Sequence, residues 1–154
     1  MNNLHKYEEA IQFLDKAIKL VPNNITAYTN KGIALSKLKR YQEALQCSNK
    51  VIKLDPNDSS AYFNKGSDLI YLNKYEEAIQ YFDKSIELNP IDLSNYSQKS
   101  FVLRKLQKYD AAIKCLDKAI EIDPNNSLAH TYKGKTLIKL NKYDEALQCS
   151  DKAI

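Results

Sequence analysis

Two histidines, three cysteines and a recurring set of carboxylates are the side chains of this 154-residue sequence that could attack a bond, move a proton or hold a metal. Their spacing suits none of those tasks. Cys47, Cys115 and Cys149 form no C-x-x-C pair, the spacing that zinc or dithiol chemistry needs. No metal-ligand spacing of His, Cys, Asp and Glu occurs either, so neither metal nor cofactor is expected. Asp55 and Asp123 each stand directly before a proline, the place of a helix-terminating residue. General acid–base work needs carboxylates made different at one location, whereas these recur along the chain. The glycines, Gly32, Gly66 and Gly134, occupy one repeated place, which leaves none for a phosphate-cradling loop. A noncatalytic protein is expected.

The same residues expose a period. Tyr7, Tyr41, Tyr75, Tyr109 and Tyr143 stand 34 residues apart, as do Pro22, Pro56, Pro90 and Pro124. Ala10, Ala44, Ala78, Ala112 and Ala146 keep the same interval. A fixed period of this size means stacked supersecondary units, each touching only its neighbours. The cysteines share one place in their units, filled by Phe13 and Tyr81 in the others. Equivalent places on stacked helices lie about 8–10 Å apart, beyond the roughly 7 Å that a disulfide tolerates. The expectation is a small apolar side chain in a packing column.

Residues 25–58, ITAYTNKGIALSKLKRYQEALQCSNKVIKLDPND, are the first complete unit. They resemble the tetratricopeptide repeat (TPR) family. Its pattern of aromatic-x-x-L-G-x-x-Y, then A-x-x-x-F, then P reads here as Tyr28-x-x-Lys31-Gly32-x-x-Leu35, then Ala44-x-x-x-Ser48, then Pro56. The resemblance covers essentially the whole sequence. It implies an all-α, right-handed α-α superhelix, a solenoid of stacked antiparallel helix hairpins that serves as a protein-binding scaffold or adaptor. The array divides into 1–24 (a second helix only), 25–58, 59–92, 93–126 and a truncated 127–154.

Each unit has the signals of a helical hairpin. Asn24, Asp58, Asp92 and Asn126 are placed to cap the first helix, helix A. Tyr28, Gly32, Leu35 and Leu38 mark one face of it. Helix B then carries Tyr41, Ala44, Leu45, Val51 and Ile52 inward and stops before Pro56, because proline disfavours helix in the residue before it. In 4–21, Tyr7, Ala10, Ile11, Leu14, Ala17 and Ile18 form the corresponding apolar face, with Glu8 and Glu9 expected in the first turn. Asn73, in a hairpin turn, suits a left-handed conformation. The unit 93–126 diverges most, with Ser100 in the glycine place and Leu116 in the phenylalanine place. His130 falls in the aromatic place, which favours packing over catalysis. Lys31, Lys65, Lys99 and Lys133 replace the family's leucine throughout. Their stems are expected to pack while the ammonium groups reach water. A positive stripe attracting an acidic partner is the alternative.

In proteins similar to this one, helix A lines a concave groove. The resemblance places Asn30, Asn64, Gln98 and Tyr132 in one inward column and Ile33, Ser67, Phe101 and Lys135 in another. Phe63, Tyr71 and Arg104 come from flanking columns. An amide can both donate to and accept from a peptide backbone, and exposed aromatics often anchor binding. Phe63 and Phe101 suit interhelix packing equally well. A protein or peptide segment is the expected partner. Asn30 and Asn64 are similar to the asparagine ladder of O-linked N-acetylglucosamine transferases, a series that Tyr132 breaks.

Other partners find less support. Co-chaperones of this family hold heat-shock chaperone C-termini with a clamp of Lys, Asn, Asn, Lys and Arg. Here those places hold Thr29, Ile33, Asn64, Ser94 and Gln98, or one unit on Phe63, Ser67, Gln98, Leu128 and Tyr132. The missing cations argue against clamp-type binding. The net charge of +4 is modest and interspersed, with no basic block for nucleic acid. The related pentatricopeptide repeats that read RNA differ in length and lack this proline place. The opening MNNLHKYEE has no apolar core of a signal peptide, and no apolar run reaches membrane-spanning length. A cytoplasmic location is expected. The rival reading is a structural fragment or repeat arm of a larger protein or assembly, an enzyme's repeat arm included. It would self-associate end to end through Leu14/Ile18 and Leu147/Ile154, because solenoid termini normally need a polar cap.

Overall fold

A computed structural model describes residues 3–151. Among the described residues the chain is all helix: α1 (Asn3–Leu20), α2 (Ile25–Lys37), α3 (Tyr41–Leu54), α4 (Ser59–Tyr71), α5 (Tyr75–Leu88), α6 (Leu93–Lys105), α7 (Tyr109–Ile122), α8 (Ser127–Lys139) and α9 (Tyr143–Asp151). These helices fall into two compact units, residues 1–88 and 89–154. In the first, α2/α3 and α4/α5 are hairpins, α1 packs on α2, α3 on α4, and α2 also reaches α4. In the second, α6/α7 and α8/α9 are hairpins and α7 packs on α8. None of the described helices is long and apolar enough to cross a membrane.

Local chemistry sets the helix ends. The side chains of Asn24, Asp58 and Asn126 accept from the amides of Ala27, Ala61 and Ala129 at 2.9, 3.1 and 3.0 Å, and Asp92 accepts from Ser94 at 2.9 Å. Each thus satisfies an amide that has no partner in the first turn. The Asp55 and Asp123 carboxylates turn the chain after helix B by accepting from Asn57 and Asn125. One expectation fails. α1 starts at Asn3, so Glu8 and Glu9 lie beyond the first turn, where the dipole has faded.

The hairpin turns share one device. Lys39, Asn73, Gln107 and Asn141 all have positive φ, between 57° and 61°. At each, the following amide returns to the carbonyl three residues inside the helix end, as Lys108 does to Leu103 at 2.8 Å, while the positive-φ residue bonds the next carbonyl. This Schellman arrangement favours glycine, yet only Asn73 and Asn141 are residues that tolerate the left-handed region well. Gln107→Gly is therefore expected to raise stability by about 1 kcal/mol, read as a higher midpoint in urea unfolding. An unchanged or lower midpoint would mean the flexibility of glycine in the unfolded chain outweighs the relieved strain.

Small residues let the hairpins close. Ala44, Ala78 and Ala112 are fully buried, and Ile11, Ala34, Leu35, Ala44 and Cys47 form a core cluster in the first unit. Leu69 on α4 and Phe82 on α5 are also buried in the first unit, and Val102, Leu103, Leu116 and Leu137 are buried in the second. The three cysteines are buried thiols, the packing role expected of them. Burial pushes the Cys47 pKa up, which disfavours a reactive thiolate.

The aromatic place is a staple. The hydroxyls of Tyr28, Tyr62 and Tyr96 donate to the carbonyls of Pro22, Pro56 and Pro90 at 3.4, 3.1 and 2.9 Å. His130 Nε2 meets the Pro124 carbonyl at 2.9 Å, so a proton on Nε2 reproduces the tyrosine's bond. The histidine is 4% exposed. It sits in the packing slot that the repeat assigns it.

The lysine column does more than reach water. Lys31 Nζ lies 2.5 Å from Asp15, Lys133 Nζ 2.6 Å from Asp117, and Lys65 Nζ 2.5 Å from the Asn49 side-chain oxygen. Each crosses from helix A to the preceding helix B, and Lys65 also lies over the Tyr81 ring at 4.1 Å. For Lys133, burial is the largest influence and lowers the pKa, but the Asp117 hydrogen bond and charge, with smaller pulls from Cys149 and Glu145, raise it on balance. These ammonium groups are engaged inside the stack and do not form an open positive stripe. Half-exposed pairs of this kind contribute at most about 1 kcal/mol each.

Leu14 and Ile18 are half-buried on α1 and Leu147 is 65% exposed on α9. Ile154 lies outside the described residues.

Candidate functional site

In the first unit, α2 and α4 lie side by side and leave a groove of about 420 Å³. Ile33, Ser36 and Lys37 line it from α2, Lys39 and Tyr41 from the turn and the start of α3, and Phe63, Asn64, Ser67, Asp68 and Tyr71 from α4. Helical spacing explains the set, since residues three and four apart share a face.

The aromatic residues divide between core and surface. Phe63 is half-buried with its ring centroid 5.9 Å from that of Phe82, so it packs and lines the groove at once. Tyr71 is 65% exposed, yet its ring stacks on Tyr41 at 4.7 Å with an interplanar angle of 1°. The pair makes a flat wall held by contact rather than by burial. The Tyr41 pKa is raised, first by burial and then by its neighbours Tyr71 and Asp68.

Asp68 sits at the foot of this wall. It is 3% exposed, and its carboxylate's one hydrogen-bond partner among the described residues is the Ser36 hydroxyl, 2.5 Å from Oδ1. The Ser36 oxygen also lies 3.0 Å from the Gly32 carbonyl. One hydroxyl proton cannot serve both acceptors, whereas a protonated Asp68 can donate to Ser36 and free its proton for Gly32. Burial raises the Asp68 pKa from 3.8 to about 6, against the opposing pull of the Ser36 hydrogen bond. Ser67 donates to its own helix at Phe63, so toward the groove its oxygen only accepts.

In the second unit, α6 and α8 bring together a basic and aromatic set. Arg104 Cζ lies 5.4 Å from the Tyr132 ring centroid and Lys135 Nζ 5.9 Å from the same ring. Lys105 Nζ stands 5.5 Å over Phe101, itself 39% exposed. A depression of about 200 Å³ is lined by Phe101, Arg104, Lys105, Tyr109 and Lys139. Among the described residues, Arg104, Lys105, Lys135 and Lys139 make no ion pair. Their charge remains open to an anionic group.

Of the residues expected to line a binding surface, Phe63, Asn64 and Tyr71 meet at the first-unit groove, whereas the exposed Asn30 is not among its lining residues. Phe101, Arg104, Tyr132 and Lys135 meet in the second unit, where Gln98 is half-buried on α6. Asp68 escaped the sequence reading because its column, Ala34, Asp68, Val102 and Thr136, faces inward. A lone acid in a column of small and apolar residues was the available signal.

Comparison with known proteins agrees with this architecture. The tetratricopeptide repeat profile matches residues 25–58, and two further repeat profiles match 4–39 and 47–80. A fourth, that of anaphase-promoting complex, cyclosome, subunit 3, matches residues 72–153. No curated protein matches the chain. A crystal structure of MamA superposes with a TM-score of 0.90 at 25% identity, covering 96% of this chain and 86% of that one. A MamA structure from Desulfovibrio magneticus RS-1 gives 0.87 at 25% identity, with 96% and 83% covered. YrrB, described as a TPR protein with an unusual peptide-binding site, gives 0.80 at 26% identity, with 99% and 78% covered. The 34-residue period, the capped hairpins and these matches lead to one conclusion: the chain belongs to the tetratricopeptide repeat family.

Proposed function

We propose that the chain is a noncatalytic adaptor that binds a peptide segment of a partner protein along its A helices. The observation that carries this reading is the α2/α4 groove, lined by Asn64, Ser67, Tyr71 and the buried Asp68. The groove offers hydrogen-bonding groups beside an aromatic wall, the combination that grips an extended backbone. The second-unit set of Phe101, Arg104, Tyr132 and Lys135 adds cations suited to acidic side chains or carbonyl oxygens. The description of YrrB as having a peptide-binding site lends support from a similar fold. A cytoplasmic location and the absence of nucleic-acid, membrane and clamp-type chaperone partners belong to the same reading.

The test is selection from a displayed random-peptide library, followed by fluorescence anisotropy on the peptides recovered. Asn64→Ala with Tyr71→Ala is expected to weaken the selected peptides at least tenfold while the helical circular dichroism stays unchanged. Equal affinity for wild type and variant would overturn the groove reading. The rival reading is self-association through the ends of the array, where Leu14 and Ile18 on α1 are half-buried and Leu147 on α9 is 65% exposed. Sedimentation of the same samples separates it, because only self-association makes the mass rise with concentration.

A further inference from the structure

Resting on the peptide-groove reading above, we propose that the α2/α4 groove is a receptor for a basic side chain, an arginine or lysine of the bound segment, held between the Asp68 carboxylate and the stacked Tyr41–Tyr71 wall.

Asp68 is the observation that demands a partner. A buried aspartate, here 3% exposed, normally has a cation or several donors around its carboxylate, because stripping water from a charge is costly. Here Oδ1 has one neutral donor, Ser36. Oδ2 has no partner among the described residues, and it is not among the fully enclosed polar atoms left unpaired. That oxygen therefore has access to the groove that its side chain lines. An incoming guanidinium or ammonium would supply the missing donors and the opposite charge together.

The surrounding surfaces fit the same occupant. The Tyr41 and Tyr71 rings lie parallel, and the exposed Tyr71 offers a face on which a cation gains further attraction. The Ser67 oxygen, with its proton committed to Phe63, and the Asn64 amide oxygen add acceptors on the same helix. Lys37 and Lys39 also line the groove. They are exposed, so their repulsion is screened by water, whereas the attraction to Asp68 acts in a drier place. They favour a segment in which the basic residue has acidic or neutral neighbours over a polybasic one. The neighbouring units carry Ala34, Val102 and Thr136 in the column of Asp68, so the receptor belongs to this one place in the array.

Ionisation gives the site a pH window. The polar and charged groups that share the groove with Asp68 are Ser36 and Lys37 on α2, Lys39 in the turn, Tyr41 on α3, and Asn64, Ser67 and Tyr71 on α4. Burial raises the Asp68 pKa to about 6, so its negative charge is lost as pH falls through that value. Cation binding should thus weaken as pH falls through that value.

The test uses three capped tripeptides, acetyl-Gly-X-Gly-amide with X as arginine, lysine or citrulline, titrated to 20 mM and read from backbone amide shifts. The arginine or lysine peptide should move the amides of residues 33–41 and 63–71 in a saturable way. Citrulline, neutral and nearly the same shape as arginine, should bind at least tenfold more weakly. Asp68→Asn should abolish the difference, and lowering the pH from 7.5 to 5 should reduce wild-type affinity at least fivefold. Equal response to citrulline, no response to either cationic peptide, or unaltered discrimination in Asp68→Asn would each overturn the proposal. If Asp68→Asn does not fold, the citrulline comparison and the wild-type pH series decide alone. Library peptides that bind the groove without a basic residue would refute this receptor while leaving the adaptor reading intact.

Discussion

Phe82→Ala should lower the unfolding free energy by about 3–5 kcal/mol, the range for losing a fully buried aromatic ring from a core that cannot collapse. The ring is completely buried on α5, leans on Phe63 and fills the space over Gly66. A β-carbon on Gly66 would come within 2.9 Å of Phe82 Cε1 and 3.0 Å of Cζ. Contacts that short require the buried Phe82 ring, or the helices that carry it and Gly66, to shift. Gly66→Ser should therefore cost about 1–3 kcal/mol by overpacking. The unit 93–126 carries the reverse solution, with Ser100 in the glycine place and Leu116 in the phenylalanine place, both fully buried. There the serine hydroxyl donates to the Ser97 carbonyl at 2.8 Å. The two places consequently trade volume. In a double-mutant cycle measured by urea unfolding, Gly66→Ser with Phe82→Leu should be less damaging than the two single changes added together. Additivity within about 0.3 kcal/mol would show that the serine meets something other than the ring.

Asp68→Asn is expected to act in the opposite direction, stabilising the protein by about 2–3 kcal/mol at pH 7. The sign follows from the proton. The folded pKa of about 6 lies above the unfolded value of 3.8, so the folded state holds its proton more tightly. Stability from this residue is complete below the unfolded value, declines as pH rises between the two, and is gone above the folded value. Wild-type stability should thus fall between about pH 4 and pH 6.5 by an increment that Asp68→Asn removes. An asparagine oxygen still accepts from Ser36, so the main loss is the buried charge. A variant no more stable than wild type at pH 7, or one whose pH dependence matches wild type in this window, would show that Asp68 is solvated well enough to ionise freely. A gain in stability bought at the expense of cation binding is the trade expected of a residue kept for recognition.

Much of the architecture was legible in the residues because it depends on short-range chemistry. The caps at Asn24, Asp58, Asp92 and Asn126, the helix stops before the prolines and the aromatic place shared by Tyr28 and His130 each involve groups within six residues of one another. Repetition multiplied those local signals at a constant interval and made the fold class plain. The expected location of Glu8 and Glu9 failed because α1 begins at Asn3, several residues before Tyr7, the place at which the other B helices start.

What the spacing could not supply were the contacts between successive hairpins. Lys31 and Asp15 are 16 residues apart, and their meeting depends on how α2 lies across α1. The period does carry a trace of it, since Asp15, Asn49 and Asp117 precede Lys31, Lys65 and Lys133 by the same interval. The candidate site shows the same division. The repeat offered Phe63, Asn64 and Tyr71 as groove residues on the strength of family resemblance. Only the tertiary structure joined Ser36 to Asp68 and stacked Tyr71 on Tyr41. A residue's type and helical phase determine which face it shares and which helix end it caps. Whether a carboxylate on that face meets a cation, a serine or open space depends on the neighbouring helix, and that distance exists only once the hairpins have packed.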